Sequence, residues 1–78
     1  MSVVALIEIR AEKVSPVREE LVNAEFVEAF YELVGKYNVG IIINVENKQD
    51  LFNTVTSIRA LPGVEETRTH LIQDGVVF

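Results

Sequence analysis

The stretch Phe26-Val27-Glu28-Ala29-Phe30-Tyr31-Glu32-Leu33-Val34-Gly35-Lys36-Tyr37-Asn38-Val39-Gly40-Ile41-Ile42-Ile43-Asn44-Val45-Glu46 decides the fold. Its second half is the clearest strand in the chain. Three consecutive isoleucines, stiff at χ1, suit a pleated sheet better than a helix. The first half fits either period, because Glu25, Glu28 and Glu32 also fall on one helix face. Two features favour a strand there: the run ends in Gly35-Lys36-Tyr37-Asn38, which carries turn chemistry, and a second apolar run starts at once. Residues 26–34 and 39–46 therefore read as a β-hairpin. Were the first run a continued helix, the topology would have to change.

Working outward, Val3–Ala11 ends in the alternation Ile7-Glu8-Ile9-Arg10-Ala11 and starts apolar on both sides, which predicts a central strand. Ser15-Pro16 reads as a helix N-cap and first helical position. Val14, Val17, Leu21 and Val22 would face inward and Arg18, Glu19 and Glu20 outward, with the helix ending near Asn23 or Ala24. Beyond the hairpin, Asn47 is the expected cap of a second helix. Its stripe is Leu51, Phe52, Val55 and Ile58, and Asn53, Thr54, Thr56 and Ser57 lie opposite. Leu61-Pro62-Gly63 stops it. Val64–Ile72 is the last strand, with Thr67, Thr69 and Leu71 on one side. Asp74-Gly75 reads as a turn, and Val76-Val77-Phe78 as either a loose tail or a docked edge.

The order β-α-β-β-α-β is the ferredoxin-like α+β pattern, one domain over residues 1–78. Crossover rules place strand four beside strand one, and strand three between one and two, in a four-stranded antiparallel sheet. Two helices then cover one face and the other stays bare. Strand three gives Val39, Ile41, Ile43 and Val45 to one face and Ile42 to the other, so the bare face is expected to dimerise on a second copy. Size agrees. A 78-residue chain that is 49% apolar has little interior, and without cysteine it has no disulfide to stabilise it, which leaves a partner subunit.

Charge and composition exclude other classes. A net charge of −5, with seven basic residues among twelve acids, argues against direct nucleic-acid binding. No run approaches a membrane span, and the apolar start of the chain lacks a basic leader and breaks at Glu8, so a cytoplasmic protein is expected. The single histidine, His70, has no nucleophile motif beside it and cannot build a zinc site alone. Glu65-Glu66 and Glu19-Glu20 read as solvated faces, since strand neighbours point to opposite sides and helix neighbours diverge by about 100°. No catalytic residue, metal site or cofactor is expected. Lys36-Tyr37-Asn38 is either a plain turn or part of a site. The topology gathers the hairpin tip, the Ser15 region, the end of strand one and Thr67 at one end of the sheet. There, a lysine and a helix N-terminus favour a carboxylate, while Asn38 and a hydroxyl can bond an amine.

The chain resembles the Lrp/AsnC effector-binding (RAM) domain in a stand-alone form without the helix-turn-helix. The likeness runs from the first strand through Thr69. It is carried by Val34-Gly35-Lys36-Tyr37-Asn38 before an aliphatic strand, and by Ile58-Arg59-Ala60-Leu61-Pro62-Gly63-Val64-Glu65-Glu66-Thr67-Arg68-Thr69. It departs at Asn38, where the family commonly has aspartate, and after Ala24, where a proline-glycine pair is frequent. The resemblance implies dimers joined through the sheet, assembling further into tetramers or octameric rings. It also implies amino-acid binding where dimers meet, with Gly35, Lys36, Tyr37, Asn38, Thr67 and Thr69 as candidate ligand contacts. The expected function is an oligomerising, amino-acid-sensing module that acts alone or with a full-length Lrp/AsnC-type regulator. The alternatives are a small dimeric α+β barrel enzyme of monooxygenase or isomerase type, which would need His70 or a lone carboxylate as base, and an ACT-like regulatory domain, which would pair through strand or helix edges.

Overall fold

The computed structural model describes residues 2–73 and 75. The expected Val76-Val77-Phe78 segment, and Asp74 of the turn before it, lie outside the described residues. The elements are β1 (Val3–Ala11), α1 (Val14–Leu21), β2 (Val27–Glu32), β3 (Val39–Val45), α2 (Lys48–Arg59) and β4 (Val64–Ile72). They form one antiparallel sheet in the order β2-β3-β1-β4, as the crossover rules require. The stretch that suited two periods is a strand. Tyr31, Phe30 and Ala29 pair with Gly40, Ile41 and Ile42, and once Ile41 is committed to a sheet its hairpin partner has no helical alternative.

The core lies between the sheet and the two helices. Ala5, Ile7, Ile9 and Ala11 of β1 and Val39, Ile41 and Ile43 of β3 are buried there with Val17, Leu21 and Ile58 from the helices. Each fully buried isoleucine contributes about 1.5–3 kcal/mol relative to exposure. Asn47 caps α2 as expected, its Oδ1 accepting from the Asp50 N–H at 2.8 Å. The stop after α2 is a type II turn: Val64 N–H donates to Leu61 C=O (3.2 Å), Pro62 holds the second position, and Gly63 takes φ +87°, which favours glycine.

Three local expectations fail. Helix α1 starts at Val14 with extended Lys13 at the cap position and no side-chain cap bond, so Ser15 already lies inside the first turn. Pro16 is tolerated there because first-turn N–H groups have no intrahelical partner. The helix also ends earlier, at Leu21, and Val22 is exposed. Phe52, expected on the buried stripe of α2, is 66% exposed at the β4 border of the sheet. A stripe one residue wider than its contact surface leaves its flank in solvent.

The face away from the helices is uncovered among the described residues. Strand register sets its rows: Tyr31, Gly40, Glu8 and Arg68; then Ala29, Ile42, Leu6 and His70; then Asn44, Val4 and Ile72; with Arg10 opposite Glu66 at the hairpin end. Leu33 folds onto this face. A Cβ on Gly40 would stand 3.1 Å from its Cδ1, a tight contact that the leucine side chain would relieve by shifting a few tenths of an ångström.

Candidate functional site

The hairpin tip is fixed to β1 by one side chain. The β1–β3 ladder ends at Ile9 opposite Val39, just before the turn. Asn38 extends it: its Oδ1 accepts from the Ala11 N–H at 2.8 Å and its Nδ2 donates to the Ala11 C=O at 2.9 Å. The amide thus imitates one more backbone residue and satisfies both polar groups of buried Ala11. A carboxylate could accept but not donate, which gives the departure from aspartate a structural use. From the other side, Glu12 N–H donates to Gly63 C=O at 2.8 Å, so the exit of β1 is held by the hairpin and by the turn before β4.

This clamp brings the start of β4 against the tip. The Tyr37 hydroxyl donates to Glu66 Oε2 at 2.6 Å, and Lys36 Nζ lies 3.5 Å from the same oxygen. Lys36 and Arg68 both approach the Tyr37 ring, each with its cation 5.6 Å from the centroid. The carboxylate it bonds pushes the Tyr37 phenol above its ordinary range. The Glu66 carboxyl is lowered, chiefly by the Tyr37 hydrogen bond and then, against some desolvation, by Lys36 and Arg10. Arg10 also pairs with Glu65 at 3.4 Å. A register shift between Arg10 and Ala11 relaxes the alternation and turns Glu65 towards the uncovered side, where strict alternation would not place it.

The candidates from sequence separate into two groups. Lys36, Tyr37 and Asn38 gather at this end beside exposed Gly35, whose φ of +133° shapes the turn. Thr67 and Thr69 stand on β4 opposite the buried Ile9 and Ile7, on the helix side. Thr67 borders a shallow concavity with Arg59, Val64, Glu65 and Glu66, and Thr69 lines the apolar groove between α2 and β4. Ser15 lies on the outer side of α1 with Arg18, Glu19 and Asn23. The residues sequence reasoning missed are Glu66 and Arg68. A usable signal existed: with β4 antiparallel to β1, residue 66 must fall near the end of β1, where the topology places the hairpin tip.

Chemically, the cluster offers a carboxylate, two cations, an aromatic face and a hydroxyl within a few ångströms. That set complements a small zwitterion, whereas acid–base catalysis would need a base set in a pocket. His70, the one imidazole, is on the uncovered face, its Nε2 2.8 Å from Glu8 Oε1.

A four-stranded antiparallel sheet with two helices on one face, in the order β-α-β-β-α-β, places the chain in the ferredoxin-like α+β class. The chain belongs to the Lrp/AsnC ligand binding domain family, whose model matches residues 2–77. It is 33% identical over 67 residues to the HTH-type transcriptional regulator FL11 of Pyrococcus abyssi, a match covering 86% of this chain and 44% of that protein. The chain therefore spans less than half the length of that relative. Among solved structures it is similar to TTHA0845 from Thermus thermophilus, with a TM-score of 0.81, 25% identity, and coverage of 97% of this chain and 99% of that one. The feast or famine regulatory protein Rv3291c from M. tuberculosis, solved in complex with L-methionine, shares the fold. Its TM-score is 0.83 at 22% identity, over 97% of this chain and 53% of that one. No described helix is long and apolar enough to cross a membrane.

Proposed function

We propose that this chain is an oligomerising ligand-binding module that senses amino acids and modulates transcriptional regulators without contacting DNA itself. The observation that carries this reading is the Lys36-Tyr37-Glu66-Arg68 cluster at the hairpin end. Its carboxylate suits an α-ammonium, its cations suit an α-carboxylate, and its exposed position suits a site completed by a neighbouring subunit. Gly35, Lys36 and Tyr37 are the proposed contacts, with Asn38 acting as the strut that holds them. Thr67 and Thr69 would contribute from the helix side, through a neighbouring copy. The L-methionine complex of Rv3291c and the regulator FL11 lend support as relatives.

The proposed partner on the uncovered sheet face is a second copy. Val4, Leu6, Ala29 and Ile42 are only half-buried there, while Tyr31 and Ile72 are exposed. The charges of the face are Glu8, Glu65, Glu66 and the Asn44-bonded Glu28 against Arg10 and Arg68, so a two-fold copy would bring the acids of each face towards the arginines of the other. Tetramers or octameric rings would then form by contacts between dimers, and a full-length Lrp/AsnC-type regulator is a second partner.

Solution mass by light scattering, with each of the twenty amino acids in turn, tests the reading. The expected result is a multiple of the dimer whose size or melting temperature changes with one amino acid. A monomer, or a fixed dimer indifferent to all twenty, would overturn it.

A further inference from the structure

Among the described residues, the uncovered face carries one imidazole, and it stands beside a carboxylate. The chain has a single histidine, His70, and its Nε2 lies 2.8 Å from Glu8 Oε1. Leu6 is directly opposite His70 across β1–β4, and Ile42 is next to Leu6 on β3. The other charged and titratable groups on this face are Arg68, Glu66 and Glu65 on β4, Arg10 on β1, and on β2 Tyr31 and Glu28, which accepts from Asn44 Nδ2 at 3.3 Å, while β3 contributes Gly40, Ile42 and Asn44. Arg68 is the cross-strand neighbour of Glu8, yet its guanidinium lies over the Tyr37 ring, and the bridge Glu8 makes is with His70. The imidazole is therefore the group that decides whether Glu8 is neutralised.

We propose that the Glu8–His70 pair makes face-to-face association of two copies pH-dependent, tightest when the imidazole is protonated. This rests on the sheet-face association proposed above. Covering the face takes water from the pair. With His70 protonated, a hydrogen-bonded ion pair of zero net charge is buried. With His70 neutral, the Glu8 carboxylate is buried with no cation bonded to it, which costs more. Association therefore favours proton uptake. By linkage it is strongest below the imidazole titration and weakens as pH rises through it.

The test is the dimer dissociation constant of the full chain by sedimentation, in dilute urea if the dimer is too tight to dilute apart. Between about pH 5.5 and about pH 8 the constant is expected to rise roughly tenfold or more. His70→Gln keeps a hydrogen-bond donor but cannot take up the proton, so it should be flat and as weak as the wild type at high pH. Glu8→Gln should reverse the slope, because a covered imidazolium would then lack its carboxylate. A wild type with the same profile as His70→Gln overturns the pH proposal while leaving the association standing. A chain that is monomeric at every pH sinks the association itself.

Discussion

Ile41 and Ile42 are neighbours in β3 with the same side chain, and they live on opposite sides of the sheet. Ile41 is fully buried under the helices. Ile42 is half-buried in a row with Ala29, Leu6 and His70 and has nothing over it among the described residues. On the covered side the apolar rows continue without a charge from Ala5 to Ala11, whereas on the other side Glu8, Arg10, Glu66, Arg68 and His70 interrupt them. A sheet face that stays enclosed carries no charge, and one that stays in water is polar throughout. This face carries both kinds of group, as the proposed docking of a second copy would require.

Substitutions at the two isoleucines are the strongest way to break that contrast. Ile41→Ala should lower the unfolding free energy by about 2–5 kcal/mol, seen as a lower urea midpoint by circular dichroism. Ile42→Lys should cost the isolated chain less than Ile41→Ala does, because its side chain is half-buried and not enclosed, and reduce the solution mass to that of a monomer. An unchanged oligomer in Ile42→Lys would remove the distinction between the faces.

A smaller effect is expected where the hairpin meets β1. Asn38→Asp loses the donor to the Ala11 carbonyl and sets a negative charge beside it, for a loss of about 1–3 kcal/mol. The deficit should shrink in acid, where a protonated carboxyl can again donate. A neutral outcome at pH 7 would mean that the amide does not hold the tip.

The smallest effect sits at the edge of the uncovered face, at the exposed Tyr37–Glu66 bond. Glu66 is lowered, so its share of stability is present above the ordinary carboxyl range and fades as pH falls through its folded value. Tyr37 is raised, so its share holds below the ordinary phenol value, about 10, and fades as pH rises through the folded one. Absorbance titration of the tyrosines should show a late phenol in the native chain that moves earlier in Glu66→Gln.

Much of the frame was legible in the sequence because it rests on period and punctuation. The triple isoleucine, the Pro62-Gly63 stop and the Asn47 cap each act through their own backbone, and β1 and β4 carry the expected bounds. What escaped depends on partners distant in the chain. Ser15-Pro16 has the chemistry of a cap and first helical position, yet the chain turns helical one residue before it. Asn38 read as a ligand contact or a turn residue, and only the register of β1 shows that both ends of its amide are used at Ala11. Glu66 read as solvated because alternation says which side a residue takes but not which hairpin tip arrives there, and the bulge at Glu65 bends even that rule.

The uncovered face has one further consequence. Two-fold contact through it is self-terminating: once two copies meet, both faces are spent and nothing is left for a third. Growth past a pair must recruit other terrain, such as the hairpin tip, where Val34 projects wholly into solvent, or the exposed Phe52 beside β4. Assembly would then proceed as two separate equilibria with their own concentration thresholds, and a ligand seated at the tip could set the second without disturbing the first.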